Sequence, residues 1–124
     1  MPDLTDSRIR QIVIVCKDVA RATTFYRDTL GVRFLFAPSP GLAFFDCGGV
    51  RLMLAVAEGD ANGTSVLYYL VTDIEAHQKA LTAKGVRFVG VPHLIARMPD
   101  HELWLAEFRD SEDNIMALME EKRP

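Results

Sequence analysis

Two histidines and one glutamate in the second half of the chain are candidates for acid–base chemistry. His93 and His101 flank a predicted turn centred on Pro99-Asp100, and Glu107 interrupts the otherwise apolar stretch L-W-L-A-E-F. An imidazole titrates near neutral pH and can bind ligands or carry protons. A carboxylate in a buried strand has a raised pKa and can act as a general base. These three residues are the candidate catalytic groups, with surface or hydrogen-bonding roles as the alternative.

The spacing of the histidines argues against a metal site made from these two residues alone. A hairpin with this turn places Arg97 opposite Glu102 and His93 opposite Ala106. Five residues of strand, at about 3.3 Å each, then separate the imidazole of His93 from that of His101. We therefore expect the two rings not to share one ion within a chain.

The elements that carry these residues belong to a repeated pattern. The tetrapeptide Gly31-Val32-Arg33-Phe34 recurs as Gly85-Val86-Arg87-Phe88, and each copy follows an apolar run, an aspartate and a helical stretch. Asp18 and Asp73 stand where a helix N-cap belongs, and the glycines stand where a left-handed C-cap belongs. Aspartate and glycine are 13 residues apart in the first copy and 12 in the second. The agreement of type, order and distance indicates a duplicated unit.

Each half continues as β-strands. In the first half, L-A-F-F-D-C and V-R-L-M-L-A-V flank Gly48-Gly49, which predicts a two-residue hairpin turn. In the second half, E-L-W-L-A-E-F and N-I-M-A-L-M follow the histidine-flanked turn. The sequence predicts an α+β fold with two β-α-β-β-β modules, residues 9–57 and 65–121, in one domain spanning 1–124. A polar linker at residues 58–63 joins the modules.

Two longer motifs resemble a known superfamily. The stretch V-C-K-D-V-A-R-A-T-T-F-Y-R-D-T-L-G-V-R-F resembles its opening V-x-D-x-x-R-A-x-x-F-Y-x-x-x-L-G, and F-R-D-S-E-D-N-I-M-A-L resembles its closing F-x-D-P-D-G-N-x-I-E-L. This is the vicinal oxygen chelate superfamily: glyoxalase I, extradiol dioxygenases, and fosfomycin and bleomycin resistance proteins. The resemblance implies two modules whose mixed sheet forms a cup with the helices outside. It also implies small-molecule binding in the cup, and homodimers in many members.

The resemblance also implies where a metal ion would be held. Metal-using members carry four ligands on four strands, typically His or Gln, Glu, His and Glu. The corresponding positions here are Gln11, Met53, Val66 and Ala117, and only Gln11 matches a family ligand. Because apolar side chains supply no nitrogen or oxygen to a divalent ion, we expect no family-type metal site and no cofactor. A divalent ion (Mn²⁺, Ni²⁺, Zn²⁺ or Fe²⁺) is the alternative.

Strand alternation groups the candidate ligand-binding residues. Gln11 heads the cup face of the first strand, Arg51 and Met53 share a face of the hairpin, and Phe44 and Asp46 lie opposite them. The predicted ligand-binding residues are Gln11, Phe44, Arg51, Met53, Trp104, Ala117 and Met119. An apolar wall with a few polar groups is typical of a small-molecule pocket. It is also typical of a core, and Trp104 suits both roles equally.

Composition limits the partners. The 124 residues carry a net charge of −3 without a basic stripe, which argues against nucleic acid as a partner. No apolar stretch approaches the roughly 18 to 20 residues that span a bilayer, and the first residues do not form a signal peptide. Two cysteines are too few for a disulfide scaffold. We therefore expect a cytoplasmic protein without membrane contact.

Three functions are compatible with these observations. The first is a metal-free protein that binds a small molecule in the cup, as a homodimer. The second is an enzyme, a lyase, isomerase or dioxygenase, that uses a divalent metal or a non-standard site among Gln11, His93, His101, Glu102 and Glu107. The third is a structural or regulatory module whose cup is filled by side chains. The scaffold hosts many chemistries, so the fold does not choose among them.

Overall fold

The computed structural model describes residues 5–6, 9–56 and 65–124, so the predicted linker at 58–63 lies outside the described residues. The helices are α1 (Val19–Thr24), which continues as a π-helical turn over Phe25–Thr29, and α2 (Ile74–Ala83). The strands are β1 (Gln11–Cys16), β2 (Arg33–Ser39), β3 (Leu42–Cys47), β4 (Val50–Val56), β5 (Tyr68–Leu70), β6 (Arg87–Phe88), β7 (His93–Arg97), β8 (Glu102–Arg109) and β9 (Ile115–Lys122). No helix in this part of the chain is long and apolar enough to cross a membrane.

The two halves have the same strand order. The first sheet runs β1-β4-β3-β2, and the second runs β5-β9-β8-β6, with β7 also paired to β8. In both, the opening strand lies parallel to the last strand of its module, and the other neighbours are antiparallel. The predicted α+β class and the duplicated β-α-β-β-β pattern are confirmed. Strands β6 and β7 are two pieces at the position that β2 holds in the first module.

The predicted helix boundaries are also confirmed. The carboxylates of Asp18 and Asp73 each accept a hydrogen bond of 3.0 Å from the backbone N–H three residues later. Gly31 and Gly85 have φ angles of 76° and 93°, in the left-handed region that a Cβ disfavours. Each helix therefore begins and ends for the same local reason.

The π-helical turn explains why the first unit is one residue longer. The N–H of Leu30 donates to the carbonyl of Phe25 at 2.9 Å, a bond that spans five residues instead of the four of an α-helix. Such a turn accommodates one inserted residue within a helix. Asp18 and Gly31 can therefore keep their capping positions despite the additional residue.

One side of each sheet faces its helix, and these two sides share a single hydrophobic core. The core includes Ile14, Cys16, Val19, Ala22, Tyr26, Ala43, Phe45, Leu52 and Leu54 from the first module and Ile74, Val86, Ala106, Phe108, Met116 and Leu118 from the second. We call the opposite sides the open faces. The open face of the first sheet carries Gln11, Val13, Phe44, Arg51 and Met53, and that of the second carries Tyr68, Leu70, Glu107, Ala117 and Met119.

The register of the β7–β8 hairpin differs from the prediction at one end. Arg97 lies opposite Glu102 as expected, and their side chains form an ion pair of 3.2 Å. His93, however, pairs with Leu105 and not with Ala106, so that prediction was wrong by one residue. The cause is an irregularity between Leu94 and Ala96, because a bulge places an extra residue on one strand.

The loop between β8 and β9 fastens the second module to the first. The side-chain amide of Asn114 donates to the carbonyl of Val15 at 2.9 Å, and the hydroxyl of Tyr26 donates to Asp110 at 2.7 Å. Asp113, which replaces the glycine of the closing motif, has a φ of 68°. Aspartate tolerates this left-handed conformation better than most residues other than glycine.

Candidate functional site

Four predicted ligand-binding residues meet on the open face of the first sheet. Register places Gln11 beside Arg51 and Phe44 beside Met53. The Nε of Arg51 donates to Oε1 of Gln11 at 2.6 Å, and Nε2 of Gln11 donates to Sδ of Met53 at 3.9 Å. The guanidinium carbon of Arg51 lies 5.5 Å from the centre of the Phe44 ring. The group therefore combines a cation, an amide, a thioether and an aromatic face.

Two features of this face were not foreseen from the sequence. Phe36 stacks on Phe44, with ring centres 5.1 Å apart and an interplanar angle of 29°. Alternation in R-F-L-F would have placed Phe36 on the same side as Phe34, which packs on the core residue Phe45. A register shift between Phe34 and Phe36 instead brings Phe36 opposite Phe44. Arg51 lies opposite Asp46 in register as expected, yet its guanidinium bonds to Gln11.

The remaining cup positions lie on the open face of the second sheet. Ala117 lies between Tyr68 and Glu107, and Met119 lies between Leu70 and Leu105. Ala117 is fully buried, whereas Glu107 is exposed. This face is therefore mostly apolar with one accessible carboxylate, which is a suitable surface for a partly apolar molecule.

Trp104 does not lie with the other predicted ligand-binding residues. It shares the helix-facing side of β8 with Ala106 and Phe108 and packs against the core. Its indole N–H donates to Glu102 at 3.2 Å, and the ammonium of Lys122 lies 4.4 Å from the ring centre. Of the two roles that the sequence allowed for Trp104, its position favours the packing role.

The candidate catalytic residues are spread over two places. His93 is on the same side of the second sheet as Glu107, and its Nδ1 lies 3.0 Å from the carbonyl of Val91. His101 lies in the turn between β7 and β8, where its Nδ1 is 2.7 Å from Asp100 and its Nε2 is 3.5 Å from Glu121. His101 is therefore engaged by carboxylates at the hairpin tip.

The donor set at the family's metal positions does not fit a divalent ion. Met53 and Ala117 offer no hard ligand, and the carbonyl oxygen of Gln11 already accepts a hydrogen bond from the cationic side chain of Arg51. A positive charge at this distance opposes a second cation. The described residues contain no group of three or more His, Cys, Asp or Glu side chains that could hold a metal ion.

Comparison with known proteins agrees with this architecture. Residues 8–117 match the sequence model of the Glyoxalase/Bleomycin resistance protein/Dioxygenase superfamily. The uncharacterized protein YraH of Bacillus subtilis (strain 168) is 25% identical, with 90% of this chain and 96% of that protein covered.

Solved structures with similar folds have low sequence identity. Lactoylglutathione lyase from Agrobacterium tumefaciens has a TM-score of 0.76 at 21% identity, covering 94% of this chain and 95% of the other. TnmS3, an antibiotic binding protein from a Streptomyces species, has a TM-score of 0.74 at 20% identity, covering 97% and 100%. At these identities the likeness is evidence for the fold alone.

Proposed function

Because the chain belongs to the Glyoxalase/Bleomycin resistance protein/Dioxygenase superfamily, we propose that it binds a small, partly apolar molecule on the open faces of its sheets, without a family-type metal ion. The observation that carries the proposal is the cluster of Gln11, Phe44, Arg51 and Met53 on a face that the protein's own core leaves uncovered. Contact with the stacked Phe36–Phe44 pair, whose Phe36 ring is about half exposed, and charge pairing with Arg51 favour an aromatic molecule with an anionic group.

The pairing of Gln11 with Arg51 supports the metal-free form of this proposal. In the metal-using members of the family, the resemblance implies that the opening-strand residue offers its donor atom to a metal ion. Here that atom is held by a guanidinium at 2.6 Å, so a cation is already supplied by the protein. An anionic ligand group would meet Arg51 directly and would gain a charge-assisted hydrogen bond.

A homodimer is part of the same proposal. Phe36 and Tyr68 are about half exposed, and Leu70 is 66% exposed in the single chain. Because the helix-facing sides of both sheets are occupied by the shared core, a second chain is the partner that would cover the open faces. The ligand would then lie between an open face of one chain and an open face of the other. The two free cysteines suit a cytoplasmic location.

Ligand binding is tested by NMR titration of the full-length protein, in the oligomeric state that it adopts in solution. The two probes are 2-naphthoate and its neutral analogue 2-naphthylmethanol. We expect 2-naphthoate to shift the resonances of Gln11, Phe44 and Met53. Replacing Arg51→Gln should weaken binding of 2-naphthoate about tenfold or more and leave 2-naphthylmethanol nearly unchanged.

A matched control is available in Arg97→Gln, because Arg97 is also a strand arginine but pairs with Glu102 at the other hairpin. This variant should bind both probes as the parent protein does. If neither probe perturbs the open faces, or if Arg97→Gln and Arg51→Gln have equal effects, the proposed site is wrong.

A further inference from the structure

A cavity of 410 Å³ lies between the two modules, on the side of the first sheet opposite to the proposed ligand site. Ile12 and Leu52 line it, and strand alternation places their side chains on the helix-facing side, away from Gln11 and Arg51. The full lining consists of Ile12, Cys47, Val50, Leu52 and residues 66–70. None of these side chains carries a charge at neutral pH, so the cavity suits a neutral, apolar occupant.

Tyr69 gives this cavity a specific polar feature. Its hydroxyl is buried and has no hydrogen-bond partner among the described residues, whereas the hydroxyl of Tyr26 donates to Asp110 at 2.7 Å. Burial, together with the proximity of Cys47 and Asp110, raises the pKa of Tyr69, so the group remains a protonated donor. A buried donor without an acceptor is unfavourable, and an acceptor supplied by a ligand would remove that cost.

Besides Tyr69, two of the nine lining residues carry a titratable side chain, Cys47 and Tyr68, and Cys47 is the more buried of the two. Burial raises the pKa of its thiol, and the nearby carboxylate of Asp46 acts in the same direction. The thiol therefore stays neutral and contributes a polarizable, weakly polar wall. Val66 and Tyr68 are partly exposed in the single chain, so the cavity opens to solvent beside them.

We propose that this cavity is a second binding site, for a neutral apolar molecule that carries one hydrogen-bond acceptor such as a ketone carbonyl, with the Tyr69 hydroxyl as the donor. Its Ile12 and Leu52 wall lies across the first sheet from Gln11 and Arg51, whereas Tyr68 and Leu70 border both the cavity and the open face of the second sheet. The volume and the apolar lining of the cavity favour an apolar ligand, and the Tyr69 hydroxyl favours a ligand with a hydrogen-bond acceptor.

The test uses two probes that differ in one group: benzophenone, with a carbonyl acceptor, and diphenylmethane, with a methylene in its place. Binding to the full-length protein is followed by ¹H–¹⁵N and methyl NMR. We expect benzophenone to shift the resonances of Ile12, Leu52 and Tyr69 and to bind about tenfold more tightly than diphenylmethane. The Tyr69→Phe variant should lose this preference, because its ring is retained and only the donor is removed.

A second variant separates loss of the donor from loss of space. Val50→Phe places a larger side chain in the cavity wall and should abolish binding of both probes, while 2-naphthoate still shifts Gln11 and Phe44. Equal affinity for the two probes in the parent protein, or an unchanged preference in Tyr69→Phe, would overturn the role of Tyr69. Shifts confined to the open faces, or no shifts at all, would overturn the second site itself without bearing on the first.

Discussion

The guanidinium of Arg21 lies 2.8 Å from the carboxylate of Glu112, and this ion pair joins the first helix to the loop before the last strand. The same carboxylate accepts hydrogen bonds from the backbone N–H groups of Lys17 and Asp18, at 2.8 and 2.7 Å. The side chain of Glu112 is only 1% exposed, while that of Arg21 is 53% exposed. Glu112 therefore serves as an acceptor for the start of helix α1 from the opposite module.

We expect the protein to lose stability in acid as Glu112 becomes protonated. Burial raises its pKa, but the hydrogen bonds from Arg21, Asp18, Ser111 and Lys17 outweigh this effect and lower the pKa from 4.5 to about 2. Because the folded state holds the proton less tightly than the unfolded state, the stabilisation is complete above about pH 4.5. It is lost as the pH falls towards 2, by an amount on the order of 3 kcal/mol. Urea unfolding at a series of pH values measures this change in the free energy of unfolding.

The Glu112→Gln variant checks the assignment. At pH 7 we expect its free energy of unfolding to fall by about 2–4 kcal/mol, and the difference from the parent protein to shrink as the pH falls below 4.5. Asp28→Asn is the control, because the pair of Asp28 with Arg27 is exposed and solvent-screened and should contribute little to stability. A constant difference at all pH values would contradict the role of Glu112.

Replacing tyrosine with phenylalanine should have different effects on the free energy of unfolding at Tyr26 and at Tyr69. Tyr26→Phe removes a donor from the buried carboxylate of Asp110 and should lower the free energy of unfolding by about 1–3 kcal/mol. Tyr69→Phe removes a buried hydroxyl without a partner among the described residues and should leave stability unchanged or raise it. Urea denaturation of the two variants gives both values, and destabilisation by Tyr69→Phe of the same size would contradict the contrast.

We expect divalent metal ions not to raise the thermal stability of the protein. Thermal unfolding of metal-stripped protein is measured with Mn²⁺, Ni²⁺, Zn²⁺ and Fe²⁺. An ion at about 100 times its Kd would add roughly 2.7 kcal/mol, equivalent to a rise of about 4 °C or more in Tm. We expect no saturable rise, since Arg51 already holds the oxygen of Gln11. A saturable rise that disappears in Gln11→Ala would make the metal-dependent enzyme the better hypothesis.

The Leu70→Glu variant tests the proposed homodimer. Leu70 lies on the open face of the second sheet beside Met119 and is 66% exposed in one chain, so a charge there is tolerated by the monomer and opposed by an interface. Sedimentation equilibrium should show a dimer for the parent protein and a Kd at least tenfold higher for this variant. Val91→Glu, at a residue 72% exposed in the segment between β6 and β7, is the matched control and should leave the dimer intact.

Much of the fold was determined locally and was therefore predictable. Asp18 and Asp73 cap their helices with their own side chains, and Gly31 and Gly85 end them through backbone freedom. Strand alternation placed Gln11, Arg51 and Met53 on one face because the side-chain period of a strand is two. These effects act over a few residues, so the sequence carries them without knowledge of the rest of the chain.

The inserted residue in the first helix was visible as a difference in length, 13 residues against 12, but its form was not. A loop, a longer helix or a π-helical turn would each absorb it. The turn at Phe25–Thr29 is supported by packing, since Tyr26 is buried in the core and bonds to Asp110. Likewise the bulge in β7 moved His93 from Ala106 to Leu105, a change that strand alternation alone does not reveal.

The sequence by itself determined two similar modules, their caps and the faces of their strands, because those properties depend on neighbouring residues. Only the tertiary structure decided three contacts. Glu112 accepts hydrogen bonds from the backbone at the start of helix α1, Arg51 bonds to Gln11, and the Tyr69 hydroxyl is buried without an acceptor among the described residues. Each of these depends on atoms 40 or more residues apart in the chain, or on the shape of the space between two modules. Long-range packing, and not local pattern, therefore sets the chemistry of the site.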